Sequence, residues 1–135
     1  MITTLRAAAM PAAAAAAAIA LLAACGGSSP LTIHGTLEVS DFSNSGSGCL
    51  FRSDSGYSDI APGTQVTVSA PDGTVIGSRA LGQPKPHVQG VVCTFPFTIT
   101  DVQGGEPRYG IAVSHRGTVW FTPDKVEHAG LSLGN

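Results

Sequence analysis

The chain has 135 residues, room for one domain of moderate size. Its formal net charge is −2, only 12% of residues are charged, and no Lys/Arg stripe exists, all of which argues against a nucleic-acid partner. Gly (17) and Pro (9) are abundant, while Val, Ile, Leu and Phe recur with a period, so the composition points to a turn-rich β-domain and away from disorder.

The first 24 residues differ from the rest. Arg6 supplies one positive charge, and Ala7 to Ala24 is almost wholly apolar, broken by Pro11. This is the charged region and apolar region of a secretory signal. A membrane span is the weaker reading. The stretch is near the minimum spanning length, is mostly alanine, and is followed by no basic stop-transfer cluster. A buried core helix is also a poor fit, because alanine on every face leaves no amphipathic stripe.

Leu22-Ala23-Ala24-Cys25 resembles the lipobox of bacterial lipoproteins. That resemblance implies cleavage just before Cys25, diacylation of its sulfur and acylation of the new amine. Two or three acyl chains anchor stably where one does not. The chain would then sit on the extracytoplasmic face of the cell membrane. An ordinary secretory cut after the small residues would instead leave Cys25 a free thiol. On the lipobox reading, residues 1–24 are a signal peptide, 25–30 the lipidated Cys and a flexible GGSSP tether, and 31–135 a single domain.

With Cys25 acylated, Cys49 and Cys93 remain. An even pair in an exported chain implies a disulfide, worth roughly 4 kcal/mol at most for a loop of this size. Two free thiols in a catalytic or metal role are the alternative, and neither Cys has a CxxC partner.

From residue 31 onward the pattern has period 2. Leu31, Ile33, Leu37 and Val39 share a face opposite Thr32, His34, Thr36, Glu38 and Ser40, which predicts a half-buried strand. DFSNSGSG is a polar loop, Cys49-Leu50-Phe51 a short strand, and 52–63 an irregular connection. Val66, Val68 and Ala70 alternate with polar residues, Pro71-Asp72-Gly73 turns the chain, and Thr74 to Leu81 returns as a hairpin partner. GQPKPH reads as a stiff loop. Val91, Cys93, Phe95, Phe97 and Ile99 share a face, which points Cys93 into the core. Pro96, which has no N–H, belongs at an edge, a bulge or a non-bonded position. Tyr109, Ile111 and Val113 start a second hairpin that turns at Arg116-Gly117 and returns over 118–122. Residues 123–130 predict one helical turn, and Leu131 and Leu133 a last short strand or packed tail. The expected core adds Ile76 and Phe121. The pattern predicts an all-β fold: an antiparallel sandwich, immunoglobulin- or transthyretin-like, or a small barrel.

GYSDIAPGTQVTV (56–68), DGTVIGSRAL (72–81), CTFPFTITDV (93–102) and YGIAVSHRGTVWF (109–121) resemble small exported β-domains, often lipoproteins, of mycobacteria and related actinobacteria. The family is largely of unknown function, so the resemblance implies a fold and a compartment and carries over no catalytic residue. The VTVSAPDGTVIG hairpin is also similar to those of transthyretin-like and carboxypeptidase-regulatory-like sandwiches.

The chemistry-bearing residues form no recognisable constellation. His34, His87, His115 and His128 lack metal-ligand spacing and read as solvated, with His115 on an apolar face at a hairpin end. Asp41, Ser43, Ser45 and Gly46 begin like a calcium loop, but Arg52 stands where a bidentate Glu is needed. Asp54 and Asp59, with hydroxyls between them, read as Asx-turn residues. No GxSxG elbow surrounds Ser47, and Glu38, Glu106 and Glu127 show no dyad spacing. No catalytic residue, metal or cofactor is expected. Trp120 should face outward if Val119 and Phe121 are core, and with Tyr109, Tyr57 and His115 it is the candidate binding surface. The leading expectation is a non-enzymatic binding or structural module of the cell envelope. Its partner would be an envelope protein, glycan or lipid, met by the loops 41–48, 52–63 and 82–90. The alternative is a lipid or glycan carrier with an internal pocket, and a hydrolase is a third.

Overall fold

The period-2 runs become strands. The computed structural model describes residues 29–42, 48–87 and 91–134; the expected signal peptide (1–24), Cys25, Ser43, Ser45, Gly46 and Ser47 lie outside them. The described strands are β1 (Leu31–Ser40), β2 (Gln65–Ser69), β3 (Val75–Ala80), β4 (Lys85–His87), β5 (Val92–Val102), β6 (Tyr109–Val113), β7 (Val119–Phe121) and β8 (Gly130–Gly134), with a single helical turn, α1 (Pro123–Val126), before the last. They form two four-stranded sheets, ordered β4-β5-β1-β8 and β3-β2-β6-β7. The fold is a β-sandwich of two open sheets and not a barrel.

The first sheet is built on β1 and β5, antiparallel from Ile33↔Ile99 to Ser40↔Val92. Ile33, Leu37 and Val39 are buried and alternate with exposed His34, Thr36 and Glu38. Gly35 falls on the inward face opposite Phe97 because a Cβ there would overlap the Phe97 ring. Near the start of β1 the ladder slips by one residue, and Asp101 takes φ 57, a conformation Asp tolerates better than most residues.

The second sheet centres on the hairpin β2–β3 and on β2·β6. Its turn works as the sequence suggests. The Asp72 carboxylate accepts the Thr74 N–H at 2.9 Å, and Gly73 takes φ 89. The inner faces meet in a core that includes Ile33, Leu37, Val66, Val68, Phe95, Phe97, Ile99, Ile111 and Val113. Cys49 and Cys93 form a disulfide with a Cα–Cα distance of 5.8 Å, and Cys93 is fully buried.

Several expectations need correction. Residues 49–51 form no strand, and Leu50 is exposed; the disulfide holds Cys49 without a ladder. Lys85–His87 is a short edge strand on β5, where Pro84 and Pro86 are tolerated because an edge leaves alternate N–H positions unused. The sheets are not purely antiparallel. The chain passes from β7 through α1 into the other sheet, so β8 lies parallel to β1. Leu31, Ile76 and Phe121 are only half-buried, at the ends and edges of the sheets. Val119 is exposed, because β7 is a three-residue edge strand whose inner side the opposite sheet does not fully cover. Ile60, Val102, Val126, Ala129 and Leu131 complete the core instead.

Candidate interaction surfaces

The four residues of the expected binding surface do not form one patch. Tyr109 is buried, 1% exposed, on the inward face of β6, and its Oη accepts the Glu106 N–H at 3.3 Å. It pairs in register with Phe121, whereas Trp120 pairs with Gly110. Trp120 is 41% exposed, and its ring lies where a Cβ of Gly110 would sit. The Arg108 guanidinium covers the ring at 4.5 Å from its centroid. Backbone below and a cation above hold this indole, so it is a partly covered platform.

Tyr57 belongs to a second region, the 52–63 loop, which meets the β6–β7 turn holding His115 through Arg116. Arg116 organises it. Its Nη2 and Nε bond both oxygens of Asp59 at 2.5 and 3.1 Å, and Nη2 also reaches the Gly56 carbonyl at 2.6 Å. The guanidinium lies 5.3 Å from the Tyr57 ring centroid, and Tyr57 leans on Phe51. These hydrogen bonds from Arg116 hold the Asp59 carboxyl below its ordinary value, against a smaller opposing effect of burial. Ser55 donates to the buried Asp41 carboxylate at 3.0 Å, and its hydroxyl accepts the Tyr57 N–H. Asp54 pairs with Arg52. Neither Asp54 nor Asp59 therefore makes the expected Asx-turn. Both serve ion pairs, and the loop is a braced structural element. His115 is exposed and not on an apolar face, because Ser114 turns to φ 56 and breaks the alternation before it.

A concavity lies elsewhere, at the side of the sandwich where β3 faces β5. It is an open groove of about 310 Å³ lined by Arg79, Ala80, Gly82, Pro96, Phe97, Thr98 and Thr100. Its chemistry follows from hydrogen-bond direction. In β1 the His34 and Thr36 N–H groups donate to Glu127 and Ala129 on the β8 side, at 2.8 and 3.0 Å. Their register partners in β5, Thr98 and Pro96, thus occupy non-hydrogen-bonded positions of the β1·β5 ladder and aim their backbone groups away from β1. The β4 strand covers that side only from Val92 to Thr94. The Gly82 N–H caps the Pro96 carbonyl at 2.8 Å. Beyond it, no backbone partner faces Thr98 among the described residues. Across the groove, Arg79 stands without an acidic partner among the described residues.

The second concavity, about 50 Å³, lies between the opposite sheet edges near Leu37, Val119 and Leu133. No group of three or more His, Cys, Asp and Glu residues converges among the described ones. His34 and His128 do approach each other, with ring centroids 6.4 Å apart. Sequence reading passed over Arg79, Thr98 and Thr100. The available signal was Pro96: a proline inside an otherwise strong strand marks backbone that no neighbour needs.

The chain matches no protein-family model, no curated protein and no solved structure.

Proposed function

We propose that the chain is an exported, lipid-anchored, non-enzymatic binding module of the cell envelope, and that it docks a partner protein along the open edge of β5. The lipid anchor rests on Leu22-Ala23-Ala24-Cys25. The docking site rests on one observation: a groove whose floor carries the unpaired backbone of Thr98 and whose far lip carries Arg79. An extended segment fits such an edge by adding itself as a strand, with main-chain bonds for affinity and side-chain contacts for specificity. The occupant is a partner protein's extended segment carrying a carboxylate, because Arg79 offers a fork of donors suited to one. The free edge between the Pro96 cap and the Asp101 slip admits a short segment, about 13 Å or three to four residues long.

The carrier alternative gains no support from the interior. The large groove opens sideways at the sheet edges, and Phe97 is the one expected core residue that lines it. A hydrolase would need a nucleophile and a base brought together in such a groove, and none of its lining residues is a His.

A photo-crosslinker at position 100, in cells making the protein, tests the docking site. The expected adduct maps to an extended, acid-containing segment of one partner and disappears in Thr98→Pro and Arg79→Glu. Adducts that persist in both variants, or that form instead from the Trp120 face, would overturn it. For the anchor, Cys25→Ser should abolish acyl mass and release the domain from membranes. An unchanged membrane-bound fraction contradicts acylation.

A further inference from the structure

We propose that His34 and His128 form a binding site for a divalent transition metal of the imidazole-preferring class, on the outer face of the β1·β8 pair. The parallel ladder pairs Thr36 with Gly130, so two residues back the same register sets His34 beside His128. The backbone fixes that juxtaposition on both sides of His128. The His34 N–H donates to the Glu127 carbonyl and the Thr36 N–H to the Ala129 carbonyl, at 2.8 and 3.0 Å. Two ring-bearing positions are thus tied together by main-chain bonds, where the turn between α1 and β8 joins β1. Both side chains are exposed, and their rings stack at 6.4 Å with an interplanar angle of 22°.

The spacing suits chelation. Two imidazoles on one metal, with bonds of about 2.0–2.1 Å, put their ring centroids roughly 5–6 Å apart. Rotation about χ2, which is broad for His, turns one nitrogen of each ring into the gap with little cost. Water completes the coordination sphere, since the face is open to solvent. The donor set selects the metal. Neutral imidazole favours Cu²⁺, Zn²⁺ and Ni²⁺, with Cu²⁺ the tightest, and offers nothing to Ca²⁺ or Mg²⁺. Acid competes with the metal because a ligating imidazole must be neutral. A bound ion would also clasp the segment between α1 and β8 onto β1.

Calorimetric titration of the intact domain with Cu²⁺ or Zn²⁺ alone, at neutral pH in a non-chelating buffer, tests the site. The expected result is one saturable site, with affinity at least tenfold weaker in His34→Ala and in His128→Ala and unchanged in His115→Ala. The thermal midpoint should rise with metal in the wild type and in His115→Ala, and stay put in the other two. Both His variants change exposed side chains, and circular dichroism verifies that each is folded. No saturable binding below millimolar metal, or binding that survives both substitutions, would overturn the proposal.

Discussion

Thr98→Pro isolates the premise of the docking site from the identity of any partner. The N–H at position 98 points away from β1, as Pro96 already does two residues earlier in the same strand. Replacing it removes no ladder bond. Phe97, the residue before the new proline, already has the extended backbone that a following proline demands. The exposed Thr98 side chain contributes a few tenths of a kcal/mol at most through β-propensity. Proline recovers about 0.4–1 kcal/mol by restricting the unfolded chain. The net change in stability is therefore within about 1 kcal/mol, or a thermal midpoint shift under roughly 8 °C for a domain this size. Ala112→Pro is the control. Ser114 donates its N–H to the Gln65 carbonyl, so Ala112, paired with Thr67, turns its backbone to β2 in the same way. Proline there breaks a bond between two interior strands and strands a carbonyl, at a cost on the order of 3 kcal/mol. Urea unfolding, followed by circular dichroism and by Trp120, the sole tryptophan, measures both. A loss above about 2 kcal/mol for Thr98→Pro would mean that the N–H is used within the fold and that the edge is not open.

Reduction, or Cys49→Ser with Cys93→Ser, should lower stability by up to about 4 kcal/mol, and non-reducing peptide mapping should show Cys49 joined to Cys93; two alkylatable thiols would refute the pairing. The Asp59–Arg116 pair should contribute to stability above the ordinary carboxyl value of 3.8 and lose its contribution as pH falls through the lower folded value. The pair is roughly a third exposed, so Asp59→Asn should cost under about 1 kcal/mol near neutrality and nothing in strong acid; a denaturation gap between variant and wild type that widens in acid would refute that sign. Gly35→Val should cost about 1–3 kcal/mol by overpacking against Phe97, and Phe97→Leu in the same chain should restore part of it; strictly additive losses would show that the two positions do not touch.

Much of this fold is legible in residue spacing because half-buried strands write their faces into the sequence. Ile33 to Val39, Val66 to Ala70 and Val91 to Ile99 announce both their strands and their inward sides. Legibility fails where pairing partners are distant. Nothing local to Gly130–Gly134 says that it lies parallel to β1, so nothing local says that His128 meets His34. Tyr109 shows the limit of residue type as a guide. Its alternation with Ile111 and Val113 assigned it inward, while its phenol suggested a surface role, and the alternation prevailed because Glu106 supplies a partner for the hydroxyl. Lys85–His87 failed for the opposite reason: proline forbids an interior strand but not an edge one. The groove was half legible. Pro96 marks an unused backbone position, but Arg79 reaches it from another sheet, across a gap that no spacing encodes.

The β1·β5 register also decides how far from a bilayer any partner would meet this domain. The open edge, Pro96 to Thr100, runs beside the first half of β1, next to the point where the chain enters the sandwich at Leu31. Six residue steps separate Leu31 from Cys25, a span of at most about 20 Å when fully extended. With Cys25 acylated, the docking edge would hover within that leash of the lipid headgroups, at the near end of the domain. A partner able to reach it would itself be embedded in the membrane, tethered to it or lying flat against it, and a soluble protein approaching from the far side would meet the β8 and β4 ends of the first sheet instead.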